Sequence, residues 1–461
     1  MEQLKESELT VKPKIGFWTI FLMALSSTIG GGLLISFGQV AQLAQNPVLT
    51  IVSFLIGGII LIPEMMLMSE TAYNIPANGS TYSWIREAGW SAISFWFGWI
   101  LVLIVAMTAL SSVMLSLANL FTNLFSLNSL WYGKLIVFSF TIILICFHAF
   151  IKNYSQISQI IFTILKFIPI FVILLITFIH ANFNDFAAGK NESTSLYLST
   201  FCLIPAISMT MFAYSGTESI TYVAGDVKNP QRNIPKALII STATIILIYV
   251  VLLIALLLIA PFDKWSGTLN VWISAIISQN LASGWIITIE IASFFLFAGS
   301  INAFIFYFSK LIQQMAFNGD LFSFFSKENK NENPYLATLL LLVGSLIYFL
   351  WDKLMNITNY YVFANSLLKF VLIFILIYHR LKRENYVKLF NEIWYWLFIC
   401  ISIISLLITT IGPILTIVEL ANLNSANTKE MLINSSIILT IILAGIPIAF
   451  LKKYIQNKIK K

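Results

Sequence analysis

The sequence has few charged residues, few cysteines and no long polar stretch. Charged residues make up 10% of the 461 positions, whereas 59% are hydrophobic, and the mean hydropathy is +0.88. A single soluble core cannot bury so much apolar surface, so this composition predicts an integral membrane protein. The three cysteines lie apart in apolar segments without metal-ligand spacing, and we expect them to be small core residues. Their positions are Cys146, Cys202 and Cys400.

The apolar segments also lack the residue patterns of membrane-embedded enzymes. No His-Glu-x-x-His helix and no pair of closely spaced aspartates occurs in them, so we expect no enzyme activity, no metal and no cofactor. The longest hydrophilic stretches, 181–199, 262–282 and 314–334, are too short for a soluble output domain. A membrane sensor is therefore an alternative from a different class of protein, and a channel is a second alternative.

Hydrophobic segments long enough to cross a bilayer account for most of the chain. A span needs roughly 20 apolar residues at ~1.5 Å per residue. The first segment is too long for a signal-peptide core and lacks a cleavage site, so we expect an uncleaved chain. Twelve segments qualify: 17–44, 48–72, 92–124, 131–150, 155–180, 200–224, 236–261, 283–313, 335–351, 355–379, 390–418 and 432–452.

The distribution of lysine and arginine predicts the orientation. If the amino terminus is cytoplasmic, twenty of the 27 cations lie on the cytoplasmic side, five lie opposite, and Lys166 and Lys369 lie inside spans. Cationic loops are retained in the cytoplasm, so we predict a multi-pass protein of the cell membrane with both termini cytoplasmic. The net charge of +7 then reflects topology and contact with anionic lipid rather than nucleic-acid binding.

Two glycine interruptions fall in the middle of apolar segments. The first is "SSTIGGGLL" at 26–34, and the second is "AYSGTES" at 213–219, five spans later. Such a pair is typical of transporters built from inverted repeats. Unwound backbone at membrane depth is tolerated where it lines a cavity or binds a ligand. Amino ends of half-helices favour anions and carboxyl ends favour cations, so an amino acid zwitterion suits both. The alternative is close helix packing through small residues.

The backbone and side chains around these interruptions are the candidate substrate site. We expect the glycine amides to bind an α-carboxylate and carbonyls left free near Ile29 and 213–215 to bind an ammonium group. The candidate residues are Thr28, Ile29, Gly30, Gly31, Gly32, Ala213, Tyr214, Ser215, Gly216 and Thr217.

Charged residues inside spans are costly and need partners. Lys166 lies at mid-span, where it either faces a partner inside the bundle or is neutral part of the time. Glu218 follows the second interruption and either senses protonation or is a buried hydrogen-bonding acid. Lys369 either pairs with an acid of a neighbouring span or contacts the side chain of an acidic substrate. The remaining span acids, Glu64, Glu70 and Glu290, are expected to be structural.

Four segments resemble the amino acid–polyamine–organocation (APC) superfamily of permeases. Gly31, Ser80 and Lys310 depart from the superfamily pattern, which has serine, glycine and arginine at these places. The matching segments are "TIGGGLL" (28–34), "SETAYNIPANGSTY" (69–82), "FAYSGTESITYVAGDVKNPQRNIPKAL" (212–238) and "SINAFIFYFSKLIQQMAFNGDL" (300–321).

The resemblance implies an all-α integral membrane fold with twelve transmembrane helices. Ten of them would form a five-plus-five inverted repeat of the leucine-transporter type, with helices 1 and 6 broken. The implied divisions are the cytoplasmic tail 1–16, the repeats 17–180 and 200–379, the last two spans 390–452 and the tail 453–461.

The resemblance also implies secondary active transport of amino acids by alternating access. Lys166 matches a lysine that takes the place of sodium in proton-coupled members, so we expect proton symport, with the proton as coupling ion. The alternative is amino acid exchange, with an acidic amino acid such as glutamate as one substrate. Phe297 and Asn302 lie on the span that lines the site in relatives and are possible side-chain contacts. The expected partners are an amino acid and membrane lipid, and the sequence does not predict the oligomeric state.

Three histidines fall near span ends, at His148, His180 and His379. We expect them to be solvated interface residues rather than members of a proton relay.

Overall fold

The computed structural model is a bundle of α-helices. It describes residues 15–151, 154–181, 196–268, 270–281, 283–351, 354–422, 436 and 439–449. The helices in these ranges are α1 Phe17–Thr28, α2 Gly31–Ala44, α3 Pro47–Asn74, α4 Thr81–Glu87, α5 Ser91–Ile100, α6 Met107–Leu124, α7 Leu130–Phe150, α8 Tyr154–His180, α9 Leu196–Tyr214, α10 Ser219–Tyr222, α11 Pro230–Ile259, α12 Phe262–Trp265, α13 Val271–Ser278, α14 Ser283–Phe317, α15 Tyr335–Trp351, α16 Leu354–Lys382, α17 Glu392–Asn422 and α18 Leu439–Ala449.

Eight helices in the described ranges are long and apolar enough to cross a membrane. Four shorter apolar helices accompany them, and two of the four, Phe17–Thr28 and Leu203–Tyr214, end at the glycine interruptions. Each of the twelve predicted segments therefore contains an apolar helix. The protein is a multi-pass membrane protein.

The surface of the bundle is apolar, and its largely apolar interior also contains many polar side chains. Phe178 is 88% exposed and Ile393 is 80% exposed, whereas many serine and threonine side chains are buried. Lipid tails favour this arrangement, because polar groups then find partners between helices. Cys146 and Cys400 lie on the exposed surface, so the expectation that they are core residues is wrong for both. The side chain of Cys202 lies outside the described residues.

A π-helical segment, Leu101–Ala106, joins α5 to α6 within one continuous span. Such wide turns inside α-helices occur frequently at functional sites. Leu101 lines the larger of the two cavities described below. The irregular turn therefore forms part of a cavity wall.

The short helix α4 lies in the segment 73–91, whose turn residues, together with Tyr82 and Trp84, predict a short helix in the membrane interface. The structure contains the helix, but Tyr82 and Trp84 are fully buried, so its interfacial placement is wrong. Asp320 explains the difference, because it accepts a hydrogen bond from the Tyr82 hydroxyl and pairs with Arg86 at 3.0 Å. Burial, reinforced by the Asp320 carboxylate, raises the pKa of Tyr82 well above its usual value.

A buried ion pair fastens α3 to α16. Arg380 lies 2.6 Å from Glu70, and the two side chains are 1% and 0% exposed. Glu70 also accepts hydrogen bonds from the backbone amides of Leu389 and Phe390. Each buried charge thus has an opposite charge beside it, which is consistent with the structural role predicted for Glu70.

Near the same end of the bundle, the chain before α1 pairs with the segment after α10. The Ile15 amide donates to the Asp226 carbonyl at 3.0 Å, and the Lys228 amide donates to the Ile15 carbonyl at 2.8 Å. The Asp226 carboxylate lies 3.8 Å from the Lys310 ammonium group. These contacts hold the two interrupted regions of the chain side by side.

Candidate functional site

The two predicted interruptions are present as breaks between helices. Residues 29–30 separate α1 from α2, and residues 215–218 form turns between α9 and α10. The breaks contain fewer residues than the candidate substrate site. Thr28, Ala213 and Tyr214 lie at the ends of helices, and Gly31 and Gly32 lie at the start of α2. The amides of Gly31 and Gly32 belong to the first turn of α2, where amides have no partner within the helix.

Side-chain hydroxyls join the two breaks to each other. Ser27 donates to the Gly216 carbonyl at 2.7 Å, and its oxygen lies 2.9 Å from the Ser219 hydroxyl. The Tyr249 hydroxyl, from α11, lies 2.8 Å from the Thr28 carbonyl and 2.9 Å from the Ala213 carbonyl. The two breaks therefore form one polar centre inside an apolar bundle.

Glycine is required at two positions of this centre. A Cβ atom on Gly30 would lie 1.9 Å from the Ser300 hydroxyl oxygen. Gly216 has a φ of +111°, and a Cβ atom there would lie 2.9 Å from the carbonyl carbon of Ser27. Other residues would meet a close approach at the first position, and both strain and a close approach at the second.

Lys166 projects from α8 onto the first break. Its side chain is 2% exposed, and its ammonium nitrogen lies 2.9 Å from the Ile29 carbonyl and 2.8 Å from the Ser300 hydroxyl. It also donates to the Ser26 carbonyl. The partners that the structure describes for this ammonium group are all neutral oxygen atoms.

A cavity of about 20 Å³ lies between the two breaks. Helices α6, α14 and α16 complete its wall, and many of its lining residues are small or hydroxyl-bearing. These residues are Ser27, Thr28, Gly30, Gly32, Ala109, Ser112, Val113, Phe212, Ser215, Gly216, Ser300, Phe304, Tyr307 and Tyr361.

A larger cavity of about 110 Å³ lies on the other side of Phe212 and Tyr361, which line both cavities. Lys369, Glu64 and Glu218 line the larger one. The Lys369 ammonium group lies 2.5 Å from the Glu64 carboxylate. Glu218 accepts a hydrogen bond from the Gly216 amide at 3.0 Å and so supports the second break. Lys369 therefore has the acidic partner that one of its two interpretations requires.

Other predicted site residues lie farther from the cavities. Phe297 is buried, and Asn302 lies 2.8 Å from the His148 imidazole; neither lines either cavity. Glu290 is also largely buried, at 7% exposure.

Two of the three histidines are buried, contrary to the sequence prediction. His148 bonds Asn302, and His379 bonds the Trp84 carbonyl at 2.8 Å, so both have partners within the protein. His180 is exposed, as expected. Among the residues that the structure describes, no three His, Cys, Asp or Glu side chains form a group suited to a metal.

The carbonyls expected to be free already have protein donors. Lys166 donates to the Ile29 carbonyl, and Tyr249 lies within hydrogen-bond distance of the Ala213 carbonyl. A carbonyl oxygen has a second lone pair, so each is still able to accept a further hydrogen bond.

Sequence reasoning missed Tyr249, Ser300, Ser112 and Tyr361. Hydroxyl groups in apolar spans were the available signal, because each needs a partner inside the bundle. Many spans here contain serine, threonine or tyrosine, however, so the signal does not single out these four.

The structure thus defines a multi-pass membrane protein with two interrupted helices around a polar centre. Residues 15–445 match the family described as "Amino acid permease". The chain belongs to this amino acid permease family, and the resemblance to the APC superfamily is confirmed.

Similar proteins are transporters by name. The serine/threonine exchanger SteT of Bacillus subtilis is 26% identical over 54% of this chain and 55% of its own length. The aspartate-proton symporter of the same organism is 34% identical over 32% of this chain and 31% of its own. The large neutral amino acids transporter small subunit 2 of Mus musculus is 24% identical over 98% of this chain and 83% of its own. The chain thus matches about half or less of the length of the two bacterial relatives.

Proposed function

We propose that the protein is a secondary active transporter that moves amino acids across the cell membrane by alternating access. The observation that carries the proposal is the meeting of two interrupted helices at a buried polar cavity, with Lys166 bound to one of them. Backbone breaks at membrane depth are tolerated only where they are buried in protein or line a cavity, and these breaks line one. The names of the relatives support an amino acid as that ligand, and a transport role rather than an enzymatic one.

The α-carboxylate would accept hydrogen bonds from the Gly31 and Gly32 amides at the start of α2. The ammonium group would donate to the second lone pairs of the Ile29 and Ala213 carbonyls and to the Ser215 hydroxyl. The residues that shape the two breaks are Thr28, Gly30, Tyr214, Gly216 and Thr217. The hydroxyl groups around the cavity between the breaks are further hydrogen-bonding partners for a polar ligand.

Proton symport is the mode that we propose, with Lys166 as the coupling residue. A charged ammonium group holds the Ser26 and Ile29 carbonyls and fills the place of a coupling sodium ion. Loss of its proton weakens these charge-assisted hydrogen bonds and releases the first break, so that protonation and opening are linked. Glu218 is the second candidate for proton exchange, because it bonds the Gly216 amide at the other break.

Amino acid exchange is the alternative mode, and one relative is named as an exchanger. A permanently charged Lys166 would then be a structural tie. An acidic substrate bound by Lys369 is supported less, because the Glu64 carboxylate and the Ser405 hydroxyl already occupy that ammonium group. A membrane amino acid sensor would bind the same ligand without transporting it.

The finer architecture belongs to the same proposal. It comprises twelve crossings, the repeats 17–180 and 200–379, the last two spans 390–452, and surrounding lipid. The tails 1–16 and 453–461 would both lie in the cytoplasm, but they lie outside the described residues apart from 15–16.

The test is uptake of radiolabelled amino acids into proteoliposomes, with an inward proton gradient or with amino acid trapped inside. We expect gradient-driven uptake from the wild type. Lys166→Ala should abolish that uptake and retain exchange, whereas Lys264→Ala, at a side chain 56% exposed, should change neither.

Two outcomes contradict this proposal. Uptake that ignores the proton gradient but requires internal amino acid assigns the exchange mode. Binding without any flux assigns the sensor.

A further inference from the structure

A row of buried polar side chains runs along α8 from Lys166 toward the start of that helix. Thr163 is 1% exposed and Gln159 is 0% exposed. Positions 159, 163 and 166 have the spacing of one helix face, and seven residues correspond to a rise of about 10 Å. The row therefore extends well beyond the substrate cavity, and neither Thr163 nor Gln159 lines a cavity.

Helix α14 continues this row toward His148 of α7. A Cβ atom on Gly299 would lie 2.4 Å from the Lys166 side chain, whereas Asn302, three residues later, bonds His148. The His148 ring in turn contacts the Tyr154 ring, at 5.0 Å between centroids. Because Tyr154 begins α8, α14 and α8 run in opposite directions. Asn302 therefore lies nearer the start of α8 than Lys166 does.

Several amide atoms in this row have no protein partner among the described residues. They are both terminal atoms of Gln159 and the Nδ2 atom of Asn302. Exchanging the oxygen and nitrogen of Asn302 still leaves one atom without a partner. Buried amides are normally satisfied by protein groups or by ordered water. Water is thus the partner expected for Gln159 and Asn302.

We propose that the residues Lys166, Thr163, Gln159, Asn302 and His148 form a polar column that conducts protons between Lys166 and the cytoplasmic end of α7. This inference rests on the proton coupling proposed above. The N–H bond of the Lys166 ammonium group breaks, the proton passes along hydrogen-bonded water oriented by the two amides, and an N–H bond forms on the neutral His148 imidazole. His148 then releases the proton to the cytoplasm, and the reverse sequence recharges Lys166.

The surroundings of His148 suit a terminal group for such a path. It lies two residues before the end of α7 at Phe150. Asn302 of α14 and Tyr154 of α8 face its ring, and neither is a charged residue.

The polar segment 318–334, which follows α14, lies at the same end of the column. Asn329 donates to the Ala149 carbonyl. The adjacent Glu328 accepts from Gln313 at 2.7 Å and lies 3.8 Å from Lys310, so its charge is held by groups other than the imidazole. Lys152 lies outside the described residues.

The column gives the proton a route separate from that of the substrate. Variants of the column should therefore slow proton movement without weakening substrate binding. A merely structural role would affect both alike.

The test uses proteoliposomes containing a pH-sensitive dye, in which amino acid uptake and internal acidification are followed together. In His148→Gln and Gln159→Leu we expect gradient-driven uptake and acidification to fall about a hundredfold, the lower end of the range for loss of a proton-transfer group, while exchange and its KM stay unchanged. Gln159→Glu, which can still bond water, should restore acidification. Thr177→Val is the matched control, since Thr177 lies on α8 outside the column and bonds the Ile173 carbonyl.

The outcomes separate this proposal from the one it rests on. A wild type without proton-driven uptake overturns the proposed symport and the column with it. A coupled wild type whose His148 and Gln159 variants behave like Thr177→Val overturns the column alone. Loss of both uptake and exchange in every column variant, Gln159→Glu included, assigns the column a structural role and also overturns it.

Discussion

The hydroxyl of Tyr249 lies within hydrogen-bond distance of both helix breaks, so its removal should disturb them. It lies 2.8 Å from the Thr28 carbonyl and 2.9 Å from the Ala213 carbonyl, and the ring is fully buried. Tyr249→Phe keeps the ring and deletes the donor. A hydroxyl has one proton, so one hydrogen bond is lost, and a buried carbonyl is left with a missing partner. The expected cost is about 1–3 kcal/mol in the free energy of unfolding.

The same change should weaken substrate binding, because the two breaks lose their common tie. If about 1.4 kcal/mol of the cost falls on the bound state, the KM for uptake rises about tenfold. The assays are thermal unfolding in detergent and uptake into proteoliposomes. Tyr378→Phe is the matched control, since Tyr378 packs on Trp90 and the structure describes no hydrogen bond from its hydroxyl. Equal melting temperatures and equal KM values in the two variants would refute the reasoning.

Two further substitutions test the backbone and the charges. Gly216→Ala places a Cβ atom 2.9 Å from neighbouring backbone at a φ of +111°. We expect the free energy of unfolding to fall by about 1–3 kcal/mol from strain alone. In the control, Gly284→Ala, the added Cβ atom meets nothing within 4 Å, and the variant should unfold like the wild type. Arg380→Gln leaves the Glu70 carboxylate buried without its ion-pair partner and should lower the free energy of unfolding by about 3–5 kcal/mol. Its control, Lys388→Gln, removes an exposed charge and should change the free energy of unfolding little. Thermal unfolding of the four variants checks both expectations, and a melting temperature for either buried-site variant equal to that of its control contradicts it.

The glycine breaks show how far local sequence information reaches. Glycine in the middle of an apolar segment is costly in a helix, so its presence there signalled interrupted helices and a polar centre. The exact bounds did not follow, because Gly31 and Gly32 continue into α2 once neighbouring helices support that turn. Packing decided the last residue on each side.

Lys369 shows a different limit. Its charge inside a span required a partner, which the sequence established, but it did not say which acid or whether a substrate supplied it. The pairing with Glu64 joins residues about 300 positions apart, and only the folded bundle brings them together. His148 and Tyr82 show the same limit. Both were predicted to lie at the membrane interface, but both are buried beside partners that are distant in the sequence, Asn302 and Asp320.

Composition and hydropathy alone determined that this chain is an integral membrane protein, since only lipid can cover so much apolar surface. The glycines of the two interruptions and Lys166 located the polar centre from sequence alone, since glycine and lysine are seldom tolerated in the middle of a membrane span without a specific role. Tertiary structure decided which polar groups satisfy one another, because hydrogen bonds of this kind depend on ångström-scale distances between helices that are remote in the chain.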